Sequence, residues 1–385
     1  MAALHLAAYF GLVGPVSSLI ERGQPVNSRD ENGNTALSWA ARNGHVKLVE
    51  KLLREPQIDI NSKDKEGCGP LSWAVQNGHT EIVQKLLIEK APADDRDKTR
   101  HTPLSLAALH GRADAAEALL KTKRVNFDSL HRDMRTPLAY AAEKGHLMVV
   151  ETLLKYGSNQ NIADGIYKRT PVFRAAWNGH RDVVQKLVEK GNCLINHHDA
   201  YGWTPLALAV AGGRTEVVEY LLDTSTIKNP VVDPELKTLD NKTPLQIAVD
   251  RRRVRVVQLL LDKPQIKLGP LDQYGSTSPS DSGSVPDEQE TRILQMLRAR
   301  CSQDGVLLPD DFHLHPATNL ESLIYCNVGR HQIPNADVHY HCDVCENGNF
   351  DVCQTCAGRA TCCINESHKL IKRYVVDGNV VGVDT

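Results

Sequence analysis

A short motif returns eight times at nearly constant spacing, and it constrains the fold of this chain more than any other feature. It reads "AALHLAAYFG" at residue 2, "TALSWAARNGH" at 35, "GPLSWAVQNGH" at 69 and "TPLSLAALHG" at 102. It continues as "TPLAYAAEKGH" at 136, "TPVFRAAWNGH" at 170, "TPLALAVAGG" at 204 and "TPLQIAVDRR" at 243. The aligned apolar residues are Leu4, Leu37, Leu71, Leu104, Leu138, Val172, Leu206 and Leu245, at spacings of 33, 34, 33, 34, 34, 34 and 39. A unit of that length cannot bury its apolar face alone. Neighbouring units must stack, and the chain is expected to be a mostly α solenoid over residues 1–262.

The chemistry inside one unit agrees. Proline starts a helix at no cost, because its first position needs no N–H donor. Paired alanines let neighbouring helices approach, and Gly-His ends the helix in a turn. A second helix follows, as in "VKLVEKLL" at 46–53, with apolar residues at helical spacing. Segments such as "DINSKDKEG" at 59–67 read as turns or β-fingers. On these motifs residues 2–262 resemble the ankyrin-repeat family, in about eight copies. The chain starts directly in "LHLAA", with Ala2-Ala3 where Thr-Pro is expected. That start reads as a truncated first repeat from a longer array. The seventh repeat is longer by five residues, which fall in an extended finger at 223–241.

The resemblance implies a protein-binding scaffold or adaptor that holds its partner on a concave face of finger tips and first-helix surfaces. In repeats two to five that face is mostly polar: Glu31, Asn32, Arg42, Asn43, Lys65, Glu66, Gln76, Asn77, Lys98, Glu143 and Lys144. In repeats six and seven it turns aromatic, with Tyr167, Trp177, Tyr201 and Trp203. Two readings stand for these four. They anchor a partner, or Trp203 packs on the next finger and Trp177 covers a helix end. Trp39, Trp73 and Tyr140 occupy a slot inside the first helix and read as inter-repeat packing. His45, His79, His146 and His180 belong to the repeating Gly-His turn and are structural. Cys68 and Cys193 are lone packing residues.

Beyond the repeats, residues 263–318 read as a linker. "GSTSPSDSGSVPDEQE" at 275–290 lacks the apolar content to pack. "DEQETRILQMLRARC" after it suits a short helix, whose Ile293, Leu294 and Leu297 would dock on the array or on the terminal module. Seven of the ten cysteines then crowd between Cys326 and Cys363. "HCDVCENGNFDVCQTC" at 341–356 holds two Cys-x-x-Cys pairs. A redox site would need a βαβ context, and a disulfide net an oxidising compartment. Zinc fits best, since each pair presents two thiolates to one tetrahedral ion. Both pairs could hold one ion, or they could alternate between two.

Residues 319–376 resemble ZZ-type zinc fingers, on "IPNADVHYHCDVC", "GNFDVCQTC" and "CINESHKLIKR", in the variant that ends fungal ankyrin-repeat proteins. The likeness implies a small zinc-stabilised β-rich module with crossed ligands. Cys342 and Cys345 would share an ion with Cys363 and His368. Cys353 and Cys356 would share the other with an early pair, of which only Cys326 is present. Gly329 stands where its second cysteine is expected, leaving His331 as a substitute ligand and Cys362 as an alternate to Cys363. One firm zinc and one incomplete site are expected. Residues 377–385 read as a tail.

Composition narrows the function classes. The chain has 385 residues, a net charge of -2 and a pI near 6.8. That gives no general attraction to nucleic acid or to an anionic membrane. No apolar run is long enough to span a bilayer, and no signal peptide is legible, so an intracellular place, cytoplasmic or nuclear, is expected. The expected partners are proteins, with no specific nucleic acid, membrane or small-molecule substrate, and no enzymatic activity. The alternative is a ubiquitin-ligase-associated substrate adaptor, because crossed-zinc modules also occur in the RING fold. The cysteine and histidine order does not match a RING. No Walker-type GxxxxGK[ST] loop occurs.

Overall fold

Each repeat is built outward from its helix start. Thr35, Thr102, Thr136, Thr204 and Thr243 stand in extended backbone, and each hydroxyl accepts the N–H three residues on. Six of the first helices then open on proline, the position where a missing donor costs nothing. In this computed structural model the described residues are 3–223, 231–269, 288–304 and 308. Described as well are the strand segments 275–276, 313–314, 324–325, 332–333, 339–342, 350–353, 371–376 and 379–383.

The chain divides into two compact units, residues 1–197 with 223–232, and 198–222 with 233–385. The first unit holds six helix pairs: α1 (Ala3–Tyr9) with α2 (Val13–Glu21), α3 (Ala36–Arg42) with α4 (Val46–Leu53), and α5 (Pro70–Asn77) with α6 (Thr80–Ile88). They continue with α7 (Pro103–Leu109) and α8 (Ala113–Lys121), α9 (Pro137–Lys144) and α10 (Leu147–Lys155), and α11 (Pro171–Asn178) and α12 (Arg181–Glu189). First helices pack on first helices and second helices on second helices, giving two layers. Leu37, Leu48, Leu52, Ile82, Leu86, Leu104, Leu119, Leu138 and Leu153 between the layers are fully buried. Each such side chain contributes about 1.5–3 kcal/mol by leaving water.

The fingers between pairs are turns rather than strands. Most close on two backbone bonds, as Asp64 N to Cys68 O and Gly67 N to Asp64 O, while the finger at 164–169 closes on Asp164 N to Arg169 O. Single bonds link neighbouring tips: Lys65 N to Asn32 O, Lys98 N to Glu66 O and Gly165 N to Asp133 O. Of the two readings of these segments, turns or β-fingers, so few bonds leave the turn.

The second unit holds two further pairs, α13 (Pro205–Ala211) with α14 (Thr215–Leu221) and α15 (Pro244–Asp250) with α16 (Val254–Leu261). The expected linker helix is present as α17 (Glu288–Gln303), 16 residues long, over the stretch "DEQETRILQMLRARC" singled out in the sequence. It docks on α16 rather than on the terminal strands. Ile293, Leu297 and Cys301 are fully buried, and Arg300 donates to the carbonyls of Leu261 and Ile266 at 2.6 and 2.9 Å. Arg300 thereby fills carbonyls that a helix C-terminus leaves open.

The same unit holds strands β1 (Gly275–Ser276) with β2 (His313–Leu314), and β3 (Ile324–Tyr325) with β4 (Gln332–Ile333). A four-stranded antiparallel sheet has the order β6 (Phe350–Cys353), β5 (His339–Cys342), β7 (Ile371–Val376), β8 (Asn379–Val383). Strand β8 pairs with β7 from Val376↔Asn379 to Lys372↔Val383, so residues read as a tail extend the sheet. Among the described residues no helix is long and apolar enough to cross a membrane.

Candidate partner-binding face

The finger aspartate organises the face that fingers and first helices share. Asp30 Oδ1 accepts the N–H of Asn32 and of Asn34, both at 2.9 Å. Asp64 does the same for Glu66 and Cys68. The second oxygen reaches into the first helix. Trp39 Nε1 donates to Asp30 Oδ2 at 2.9 Å, and Trp73 Nε1 donates to Asp64 Oδ2 at 3.0 Å. Burial works against the Asp30 charge, but the Trp39 donor and the two backbone donors outweigh it and lower its pKa. The sequence reading missed this role, although an aspartate four or five residues before the helix cap recurs in repeats two, three, four and seven.

Trp39 and Trp73 are half-buried and belong to a stack on that face. Tyr9, 41% exposed, meets Trp39 edge-on at 5.5 Å between ring centres. The Arg42 guanidinium lies 5.4 Å from the Trp39 ring and 4.0 Å from the Trp73 ring. Aromatic rings and an interleaved arginine therefore run across repeats one to three with part of each surface open. These are the side-chain types that dominate protein interfaces, since they offer large area at little conformational cost.

In repeats five and six the same positions hold an ion network. Asp133 accepts from His131 Nδ1 at 2.9 Å and from the Tyr140 hydroxyl at 3.2 Å, and forms an ion pair with Arg135, whose Nε lies 3.0 Å away. Arg135 and Arg174 each reach Glu143 at 3.3 Å, and Arg174 also binds the buried Asp164. The His131 ring stacks on His101 at 3.9 Å. Burial pushes the Asp133 pKa up, but the His131 hydrogen bond and the Arg135 charge prevail and hold it at about 2. Burial and the neighbouring Asp133 raise the pKa of Tyr140. Glu143, expected as an open contact residue, is committed to its two arginines.

The four aromatic residues singled out by sequence fare differently. Tyr167 and Trp177, in the first unit, are half-buried, and the Arg169 and Arg174 guanidinium groups stand 4.9 and 5.7 Å from the Tyr167 ring. Tyr201 and Trp203, in the second unit, are each only 8% exposed. Arg251 lies 5.5 Å from the Trp203 ring. The next finger closes over Tyr201, whose carbonyl accepts Leu239 N. Of the two readings given to Tyr201 and Trp203, this burial favours packing of the last repeats over partner anchoring.

The repeating histidines tie one repeat to the next. His45, His79, His146 and His180 donate from Nε2 to the carbonyls of Tyr9, Arg42, Leu109 and Glu143, at 2.8, 3.1, 3.2 and 2.9 Å. The preceding glycine makes room: a Cβ on Gly145 would lie 2.5 Å from His180 Nδ1. Burial pushes the Cys68 and Cys193 thiols up to about 12, so neither is a nucleophile at neutral pH. A groove of about 580 Å³ between α6 and α8 is lined by Leu87, Ile88 and Ala118 among polar side chains such as Gln84, Glu117 and Lys121.

Of the expected metal ligands, Cys342 ends β5 and Cys353 ends β6. Cys326, His331, Cys345, Cys356, Cys362, Cys363 and His368 lie outside the described residues. In the β5–β6 ladder Cys342 stands opposite Phe350 and Cys353 opposite His339. Three steps of strand, roughly 10 Å, therefore separate the two cysteine positions.

The model of the family described as ankyrin repeats (3 copies) matches residues 1–64, 57–133, 123–199 and 172–272. Osteoclast-stimulating factor 1 of Monopterus albus is 37% identical over 57 residues, 15% of this chain and 27% of that protein. Acyl-CoA-binding domain-containing protein 1 of Arabidopsis thaliana is 43% identical over 51 residues, 13% of this chain and 15% of that one. The matches thus span a small part of either relative. The human ASB11 ankyrin repeat domain superposes with a TM-score of 0.50 at 28% identity, covering 54% of this chain and 92% of that one.

Proposed function

The chain belongs to the ankyrin-repeat family, and from that premise we propose that it is a non-enzymatic interaction protein whose array holds a protein partner. The observation that carries this reading is the Tyr9–Trp39–Arg42–Trp73 stack, a half-open run of interface-type side chains on the face of repeats one to three. The test is affinity capture with the full chain from its native cells, with bound proteins identified by mass spectrometry. Arg42→Glu and Trp73→Ala, checked for an unchanged melting profile, should lose the partner. Capture of the same proteins by wild type and both variants would overturn the reading.

The cysteine-rich region is proposed as a zinc module of ZZ-like crossed type. The separation between Cys342 and Cys353 supports it, because thiolates on one ion are only a few ångströms apart (Zn–S about 2.3 Å). Cys342 and Cys345 would then serve one ion with Cys363 and His368, and Cys353 and Cys356 another with Cys326. Zinc bound there would supply folding energy to a unit with a small core. Elemental analysis of the purified full chain should find one to two zinc ions, and Cys342→Ser should remove at least part of it. Metal-free protein with a normal melting profile would contradict this.

A further inference from the structure

Repeats four to six carry a second feature on their finger tips. The turn position that Gly33 and Gly67 fill in earlier fingers, with φ of 83° and 82°, is held by Arg100, Met134 and Lys168, with φ of 72°, 63° and 54°. Side chains with a Cβ are disfavoured in this left-handed region. Lys90 and Lys123 adopt it at helix ends as well, so strain alone marks no site. What distinguishes the tips is the charge they display.

Lys98, Arg100, Arg132 and Lys168 are exposed on three successive fingers, and Lys144 is exposed at the end of α9. Among the described residues no hydrogen bond or ion pair holds any of these five side chains. The carboxylates closest in sequence are already committed. Asp97 accepts from Thr99 at 2.7 Å and from His101 N at 2.8 Å. Asp133 is held by His131 and Arg135, and Asp164 accepts Tyr167 N at 2.8 Å and binds Arg174. Exposed Glu66 marks the edge of the row, where its carbonyl accepts Lys98 N. Neighbouring fingers are in register: Arg96 donates to Leu130 O at 2.9 Å, and Gly165 N donates to Asp133 O at 3.3 Å. Met134, 46% exposed, adds an apolar surface among the cations. A chain with a net charge of -2 thus presents uncompensated positive charge on one row of tips.

We infer that this row docks an acidic peptide segment of a partner, with an apolar side chain of that segment against Met134. The inference rests on the reading of the array as protein-binding and names the chemistry of its partner. Acidic protein is favoured over nucleic acid because the rings beside the tip cations are already engaged, His101 on His131 and Tyr167 with Arg169 and Arg174, rather than open to stack a base. Cations at a rim set association rate and selectivity, and their effect falls with salt.

The test uses the full chain and fluorescence anisotropy. The probes are a labelled oligoglutamate peptide with one central leucine, its oligolysine counterpart, and a single-stranded oligonucleotide of matching charge. Wild type should bind the oligoglutamate peptide, weaken as salt rises, and ignore the oligolysine peptide. The combined variant Lys98→Glu, Arg100→Glu, Arg132→Glu and Lys168→Glu should lose at least about tenfold in affinity. Arg100→Gly with Lys168→Gly should hold or raise the melting temperature while weakening the peptide severalfold, which separates lost charge from lost fold. Equal peptide binding by wild type and charge-reversed protein, or tighter binding of the oligonucleotide, would overturn the inference. If the charge-reversed protein keeps the native partner while Arg42→Glu loses it, this inference fails alone. If neither variant loses the partner, the reading of the array fails with it.

Discussion

The second and third repeats and the fifth and sixth put their finger carboxylates to different ends. Asp30 and Asp64 each hold one tryptophan N–H and leave the ring half-open. Asp133 and Asp164 sit among His131, Arg135, Tyr140 and Arg174, with side chains only 19% and 2% exposed. A neutral donor lets the ring remain a surface. A charged donor must be matched and enclosed, because an ion out of water needs its partners in place. One end of the first unit is therefore a candidate contact surface, and the other is a buried polar lock beneath charged tips.

Removing a partner from the lock should do the most damage. Arg174→Ala leaves Asp164 buried and unpaired and should cost about 3–5 kcal/mol of unfolding free energy in urea. A loss no larger than that of a tryptophan donor would erase the contrast. Next comes Asp133→Asn, at about 2 kcal/mol. The Asp133 carboxyl is held at about 2, below the value of about 3.9 expected in the unfolded chain. The stability it adds is therefore full above about pH 4 and drains away as pH falls toward about 2. In the Asn variant that acid-dependent part should be missing from pH-resolved melting curves.

At the other end Trp39→Phe removes one donor from Asp30 and should cost about 1 kcal/mol. Arg42→Glu should cost less than about 1 kcal/mol, the scale of an exposed cation–ring contact. Its main effect should appear in partner capture. If Arg42→Glu destabilises as much as Arg174→Ala, the open stack is a lock too.

The repeat was legible because its signals are local and recur. The recurring spacing, 33 or 34 residues and 39 before the last repeat, and the repeated helix starts, six of them on Pro, mark every helix pair up to Leu261. The threonine caps reinforce those starts. Exposure was less legible, since the next finger decides it. Trp203 occupies the slot just before the helix cap, which Asn34 and Cys68 fill elsewhere at 4% and 7% exposure. Reading Cys68 as a packing residue was the available clue that Trp203 is buried as well. Trp39 and Trp73 read in sequence as packing alone. Their half-open rings follow from long-range placement of Arg42 and Tyr9, which no single window of sequence contains. The docking of α17 was less legible for a similar reason. Its polar composition suits a short linker helix, and Arg300 gains its role only against the carbonyls of Leu261 and Ile266.

The central claim is that the finger and first-helix face of the array is where the partner sits. A photo-cross-linking residue in place of Lys65, at an exposed finger tip, tests it against one in place of Met148, 64% exposed on the second-helix layer. In native cells the Lys65 position should yield a discrete adduct that Arg42→Glu abolishes, and the Met148 position should yield none. An adduct from the Met148 position alone would contradict the account.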